Sequence, residues 1–132
     1  MSPRSTPEFT RLKAAVENIP AEADAVFSLP DSLLSTRLSD LVEAAVKLKL
    51  PVSGANIGVV KTHGVLISYG SDQNISGKKA ARLAGQILQG VKPADLPVET
   101  AEVYLAINLK VANVIGLDIP DEILRQAEII IR

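Results

Sequence analysis

The sequence predicts an α/β fold, a three-layer arrangement in which a mostly parallel sheet carries helices on both faces. Three observations predict it. Short apolar runs bounded by proline or glycine alternate with longer segments of helical spacing. Strands that alternate with amphipathic helices indicate parallel pairing with both faces covered. The 132 residues are 47 % apolar but only 3 % aromatic, so the core is built of Leu, Ile, Val and Ala packed between helices and a sheet. The length suits one compact α/β domain, large enough to bury a working core.

Each element follows from local residues. Thr6-Pro7-Glu8 supplies a hydroxyl cap, a proline at the first helical position and an acid, and Phe9, Leu12, Val16 and Ile19 continue at helical spacing until Pro20. "ADAVFSLP" is a short apolar run and predicts a buried strand. Asp31-Ser32 then caps a second helix whose stripe is Leu34, Leu38, Leu41, Ala45 and Leu48. "LPVSG" predicts a second strand, "ANIGVVKTH" one helical turn, and "GVLISYG" a third strand. A long helix over Ser76–Leu88 is expected to bury Ala80, Leu83, Ala84, Ile87 and Leu88, with Gly90 as its left-handed end. "VKPADLPVET" reads as a surface connector and "EVYLAIN" as a central fourth strand. Asn108 caps a short helix through Ile115 that Gly116 ends, and Pro120-Asp121-Glu122 starts a last helical segment.

Charge and composition exclude several classes. The net charge is -1, with acids and bases spread along the chain, so no basic run suggests nucleic acid or a membrane surface. With no cysteine there is no thiolate metal site, disulfide or cysteine nucleophile. "MSPRSTPEF" has no apolar core, so no signal peptide is visible in the chain, and no apolar run is long enough to span a bilayer. No cofactor fingerprint is present. The glycines near strand ends (Gly54, Gly58, Gly64, Gly70, Gly77) form neither GxGxxG nor a P-loop, because Lys79 follows Gly77-Lys78 where the P-loop needs Ser or Thr. The one histidine, His63, has no partner for a triad or a zinc site and reads as a surface or hinge residue.

In such sheets ligands gather at the carboxyl ends of strands. The loops there hold the candidates. Asp31 and Ser32 follow the first strand and either cap the helix, accept from a ligand, or do both. Ser53 and Asn56 follow the second strand. Asp72, Gln73 and Asn74 follow the third and either cap the long helix or line a polar pocket. No nucleophile, base and orienting group assemble, so the residues point to binding rather than catalysis.

One set of segments carries a resemblance. "GVLISYGSDQNISGKKAARLAGQILQGVKPADLPVE" followed by "LAINLKVANVIGLDIPDEIL" resembles the carboxyl-terminal part of the ABC-transporter substrate-binding protein family, the group with tryptophan-binding-like members. The matching features are Tyr69-Gly70, Asp72, Gly77, the connector "ILQGVKPADLPVE" and "NLKVANVIGLDIP". Upstream, "ADAVFSLPDSLLS" and "KLKLPVSGAN" resemble the family's strand-and-loop segments, so the likeness runs from Glu8 to Ile123. It implies a type I periplasmic binding protein fold, in which two α/β lobes close on a small solute. By resemblance, residues 8–63 and 95–132 belong to the carboxyl-terminal lobe. The strand and helix over 64–94 return to the first lobe.

The resemblance implies a solute-binding component of an ABC importer, with no catalytic residues, no metal and no cofactor. Its partners are a small solute and, through the full-length protein, an ABC permease. A periplasmic or extracytoplasmic setting follows. Asp31, the loop from Ser53 to Asn56, and Asp72 match the family's binding positions. Gln73 and Asn74 stand where many members carry an aromatic pair, which favours a more polar, amino-acid-like solute. The long helix, deprived of its usual sheet, is expected to fold back on this domain or to pack against a second copy as a homodimer through Ser76–Leu88. A ligand-sensing domain of the same fold in a larger signalling protein is the alternative reading. An enzyme of flavodoxin-like class has no supporting residues.

Overall fold

The computed structural model describes residues 7–132, so the expected cap Thr6 lies outside the described residues. Helix α1 (Pro7–Glu17) buries Val16, with Leu12 and Ile19 packed on the same cluster. Strand β1 is only Val26–Phe27, shorter than the apolar run that predicts it. The chain leaves the ladder at Leu29-Pro30, where the proline has no N–H to pair.

The helix expected after Asp31 is two helices, α2 (Ser32–Ser35) and α3 (Leu38–Lys47). The break has a local cause. Ser35 Oγ donates to the Asp31 carbonyl and Thr36 Oγ1 to the Leu33 carbonyl, each at 2.7 Å. Such hydroxyls compete with the helical ladder for its acceptors. Helix α3 then restarts and buries Leu38, Leu41, Val42 and Ala45, the i, i+3, i+4, i+7 stripe of an amphipathic helix. Strand β2 (Val52–Gly54), helix α4 (Gly58–Thr62) and strand β3 (Ile67–Ser71) follow. Val16, the α3 stripe, Val52 and Val65 form one core cluster, and α4 contributes Val60 to a second one around Ala106.

Helix α5 spans Gln73–Leu88, starting three positions ahead of Ser76 because Asp72 caps it. Contrary to expectation it buries nothing. Ala80, Ala84, Ile87 and Leu88 are exposed and Leu83 is half-buried. The helix therefore does not fold back on its own sheet. The reason is where β3 ends: beyond Ser68 it pairs with β4 alone, so α5 leaves from a part of the sheet only two strands wide. A connector with a short 3-10 turn (Pro93–Asp95) then runs back alongside. Lys79 Nζ reaches the Thr100 carbonyl and Glu102 at 3.3 Å, and Arg82 pairs with Glu99. The Tyr104 hydroxyl donates to Glu102 at 2.6 Å. That bond first, and Lys79 second, hold the Glu102 carboxyl below its usual range, and the same bond pushes the Tyr104 phenol up.

Strand β4 (Val103–Asn108) returns antiparallel to β3, and the sheet order is β1-β2-β3-β4-β5. The other three pairings are parallel. Helix α6 (Leu109–Ile115) is capped by Asn108 and ended by Gly116 at φ 76°, as the sequence predicts. It packs Ala112 and Ile115 against Leu66 and Ile67. The segment from Pro120 holds one helical turn, α7 (Asp121–Leu124). A fifth strand, β5 (Ile129–Ile131), follows it and pairs with β4.

The pairing registers divide the sheet. Strand β2 pairs β3 only as far as Ser68, and β5 pairs β4 from Ala106 onward. Tyr69, Gly70 and Ser71 pair only with Leu105, Tyr104 and Val103. These residues form a two-stranded ribbon that leaves the five-stranded body and carries α5 and the connector.

Candidate functional site

Strands β1, β2 and β3 run parallel, so their carboxyl ends lie together at one edge of the sheet. Three loops gather there, and between them lies a cleft of about 460 Å³. That is within the usual range for a small-molecule site. Ser28 to Ser32 and Ser35 line it from the first loop, Ala55 and Asn56 from the second, and Ser71 and Gln73 from the third. Its apolar wall is Leu34, Leu38 and Val59.

Four of the sequence-predicted site residues meet in this cleft: Asp31, Ser32, Asn56 and Gln73. Asp31 Oδ1 accepts the Leu34 N–H at 2.8 Å, so the residue is a helix cap, and it lines the cleft as well. Asn56 Oδ1 accepts the Gly58 N–H at 3.0 Å, which fixes the amide in an Asx turn and leaves its Nδ2 donors over.

Three predicted residues lie elsewhere. Asp72 Oδ1 accepts the Asn74 N–H at 2.7 Å, and the Asp72 carbonyl accepts Ser76 Oγ at 3.1 Å. Both Asp72 and Asn74 are engaged in starting α5 and do not line the cleft. Ser53 lines the neighbouring hollow of about 430 Å³ instead, with Phe27, Leu29, Pro30, Ile67 and Tyr69. Its register partners Phe27 and Ile67 share its face, and side chains on a strand alternate. Ser53 therefore points away from the cleft that its carbonyl helps build by accepting Ser28 Oγ at 2.6 Å. His63 closes α4, where its Nδ1 meets Thr62 Oγ1 at 2.7 Å, and does not line the cleft.

Ser28, Ser35 and Ser71 line the cleft without having been singled out in the sequence. For Ser28 a signal exists, since it ends the first apolar run. For Ser71 one exists too, since it opens the polar turn after the third strand, and for Ser35 none does. Ser71 enters because β3 and the second loop approach unusually closely. A Cβ on Gly70 would lie 2.7 Å from the Ala55 carbonyl oxygen and 3.2 Å from Asn56 Cα. Glycine at that position is what lets the loop of Asn56 sit against the start of the third loop.

The family profile described as ABC transporter substrate binding protein matches residues 2–131. An uncharacterized protein of Rickettsia prowazekii (strain Madrid E) is 31 % identical over 97 residues, 73 % of this chain and 32 % of that protein. Among solved structures, the ABC domain from Streptococcus pneumonia in complex with L-Trp superposes with a TM-score of 0.80 at 27 % identity, covering 96 % of this chain and 43 % of that one. A conserved domain protein from Vibrio cholerae O1 biovar El Tor gives a TM-score of 0.78 at 28 % identity, covering 92 % of this chain and 41 % of that one. The chain thus spans 32 % of its curated relative and 41–43 % of these solved neighbours.

Proposed function

Because the chain belongs to the ABC transporter substrate-binding protein family, we propose that it is a solute-binding part of an ABC importer. It takes a small polar, amino-acid-like solute into the cleft at the strand ends. The observation that carries this reading is the convergence of Asp31, Ser32, Asn56 and Gln73 from three separate loops on one cleft. The chemistry is binding alone. A solute is held between lobes, and the loaded protein is handed to a membrane permease on the extracytoplasmic side. No helix among the described residues is long and apolar enough to cross a membrane, so in this reading the membrane-spanning work belongs to the permease.

Residues 8–63 and 95–132 form one lobe in this reading, and 64–94 reach a second lobe of a longer protein. The ribbon at Tyr69–Ser71 and the unburied α5 support a crossing that starts after Ser68, with Val65, Leu66 and Ser68 buried in this body, and the partial coverage of the solved neighbours fits a longer protein. The second lobe then closes over the cleft and covers the open face of α5. The pneumococcal domain is in complex with L-Trp. The described residues lining the cleft include no aromatic side chain, and Gln73 offers an amide in place of a stacking ring, which favours a solute more polar than tryptophan.

An NMR titration of the isotope-labelled chain with polar amino acids and related small solutes tests the reading. At least one solute is expected to move the amides of Leu34, Asn56, Gly58 and Gln73 together while leaving those of α6 in place. A panel that moves none of the cleft amides at millimolar concentration overturns it.

A further inference from the structure

Among the described residues lining the cleft there is one formal charge. Asp31 is the only ionisable one of them, and none is Lys, Arg or His. The other polar groups are the hydroxyls of Ser28, Ser32, Ser35 and Ser71 and the amides of Asn56 and Gln73. Hydroxyls and carboxamides both donate and accept, so they favour neither sign of charge. Charge selection in this half of the site therefore falls to Asp31.

The carboxylate is held ready for that role. Oδ1 is engaged by the Leu34 N–H, and Ser35 Oγ ties down the Asp31 carbonyl. With one oxygen committed and the backbone fixed, Oδ2 is left over with its direction set. A carboxylate enclosed by a closing partner needs a donor of positive charge, since an unpaired charge removed from water is costly. An ammonium group on the solute supplies it as a charge-assisted hydrogen bond. A solute carboxylate placed beside Asp31 meets repulsion, and no cationic side chain among the described residues of the cleft offsets it.

Resting on the solute-binding reading above, we propose that the cleft selects solutes by an ammonium group seated on Asp31 Oδ2. A carboxylate on the solute is dispensable to this face. The substrate class is thus small hydroxylated amines, with amino acids as members of it rather than its definition. The cap and the counter-charge are two oxygens of one side chain.

Two matched pairs of probes test this on the chain by NMR titration. L-Serine and L-glycerate share a carboxylate, a hydroxymethyl group and the configuration at C2, and differ in ammonium against hydroxyl. 2-Aminoethanol and ethane-1,2-diol differ in the same way and have no carboxylate. The ammonium member of each pair is expected to bind about tenfold more tightly, the scale of one hydrogen bond to a charged group. Asp31→Asn keeps an oxygen to cap Leu34 and removes the charge, so the preference is expected to fall to about one while the fold is retained. Asp72→Asn removes the same charge from a cap outside the cleft and leaves the preference unchanged. Equal or tighter binding of glycerate overturns the ammonium selection and leaves the solute reading standing. An undiminished preference in Asp31→Asn does the same. Failure of all four probes while another solute binds overturns the selection alone, and failure of every solute overturns both.

Discussion

Asp31 and Asp72 follow strands β1 and β3 in the same way, and each caps the helix behind it, yet only Asp31 lines the cleft. The caps were legible in the sequence because they depend on a few adjacent residues. Which capping acid faces a ligand was not, because that depends on how three loops from distant parts of the chain approach one another. Ser53 makes the same point, since a strand's alternation turns it, with its partner Phe27, to the opposite side from Ser28, whose hydroxyl bonds its carbonyl. Gly70 is where the approach is set by a single atom's absence. Gly70→Ala is expected to lower stability by about 1–3 kcal/mol, the usual cost of forcing atoms into a packed contact. It should also shift the Asn56 amide resonance. Urea unfolding and an NMR spectrum check both. Gly77→Ala serves as the control, since a Cβ there meets nothing within 4 Å and should leave the midpoint unchanged or raised.

Helices α3 and α5 carry similar apolar stripes and meet opposite fates. The stripe of α3 is buried against Val52 and α1, whereas α5 buries no residue. Periodicity identified both as amphipathic helices. It could not say which body each stripe faces, and that is why the burial expected for α5 failed while its existence and end were read correctly. The break between α2 and α3 escaped notice because two hydroxyls decide it within an otherwise continuous apolar pattern. The difference between the helices is measurable. Leu41→Ala is expected to cost about 2–5 kcal/mol in urea unfolding, as for a packed core leucine. Ile87→Ala, at a position already 42 % exposed, should stay within about 0.5 kcal/mol. A large loss at Ile87 would mean that α5 is packed in solution on something the isolated chain provides.

Alternating strands and helices made the parallel body readable at the scale of the whole molecule, and the family likeness extended that reading across nearly the whole chain. The antiparallel return of β4 and the fifth strand were not readable, because both depend on where the chain re-enters the sheet after α5. The outcome is a body with open apolar ground. Phe27 and Tyr69 stand 74 % and 68 % exposed beside the second hollow, and Leu88 is 88 % exposed at the end of α5. Surfaces of this kind associate. In light scattering the apparent mass is expected to rise above 14.0 kDa with concentration, the homodimer through α5 being the first species. Ile87→Lys with Leu88→Lys should return it to the monomer value.

The ribbon has a consequence for how the chain could be edited. Ser71 and Val103 sit opposite each other, so the path leaves the body and comes back to it across a single strand pair. In topological terms everything from Asp72 to Glu102 is an insertion into a β-hairpin. Replacing it with the two-residue turn Asn-Gly would close β3 and β4 as an ordinary hairpin. Since α5 adds nothing to the buried core, the shortened protein should still unfold cooperatively, with a midpoint close to that of the parent. It should also lose the concentration-dependent mass. The body would then be a freestanding scaffold, and the inserted helix a detachable part that the same two strand ends could exchange for another.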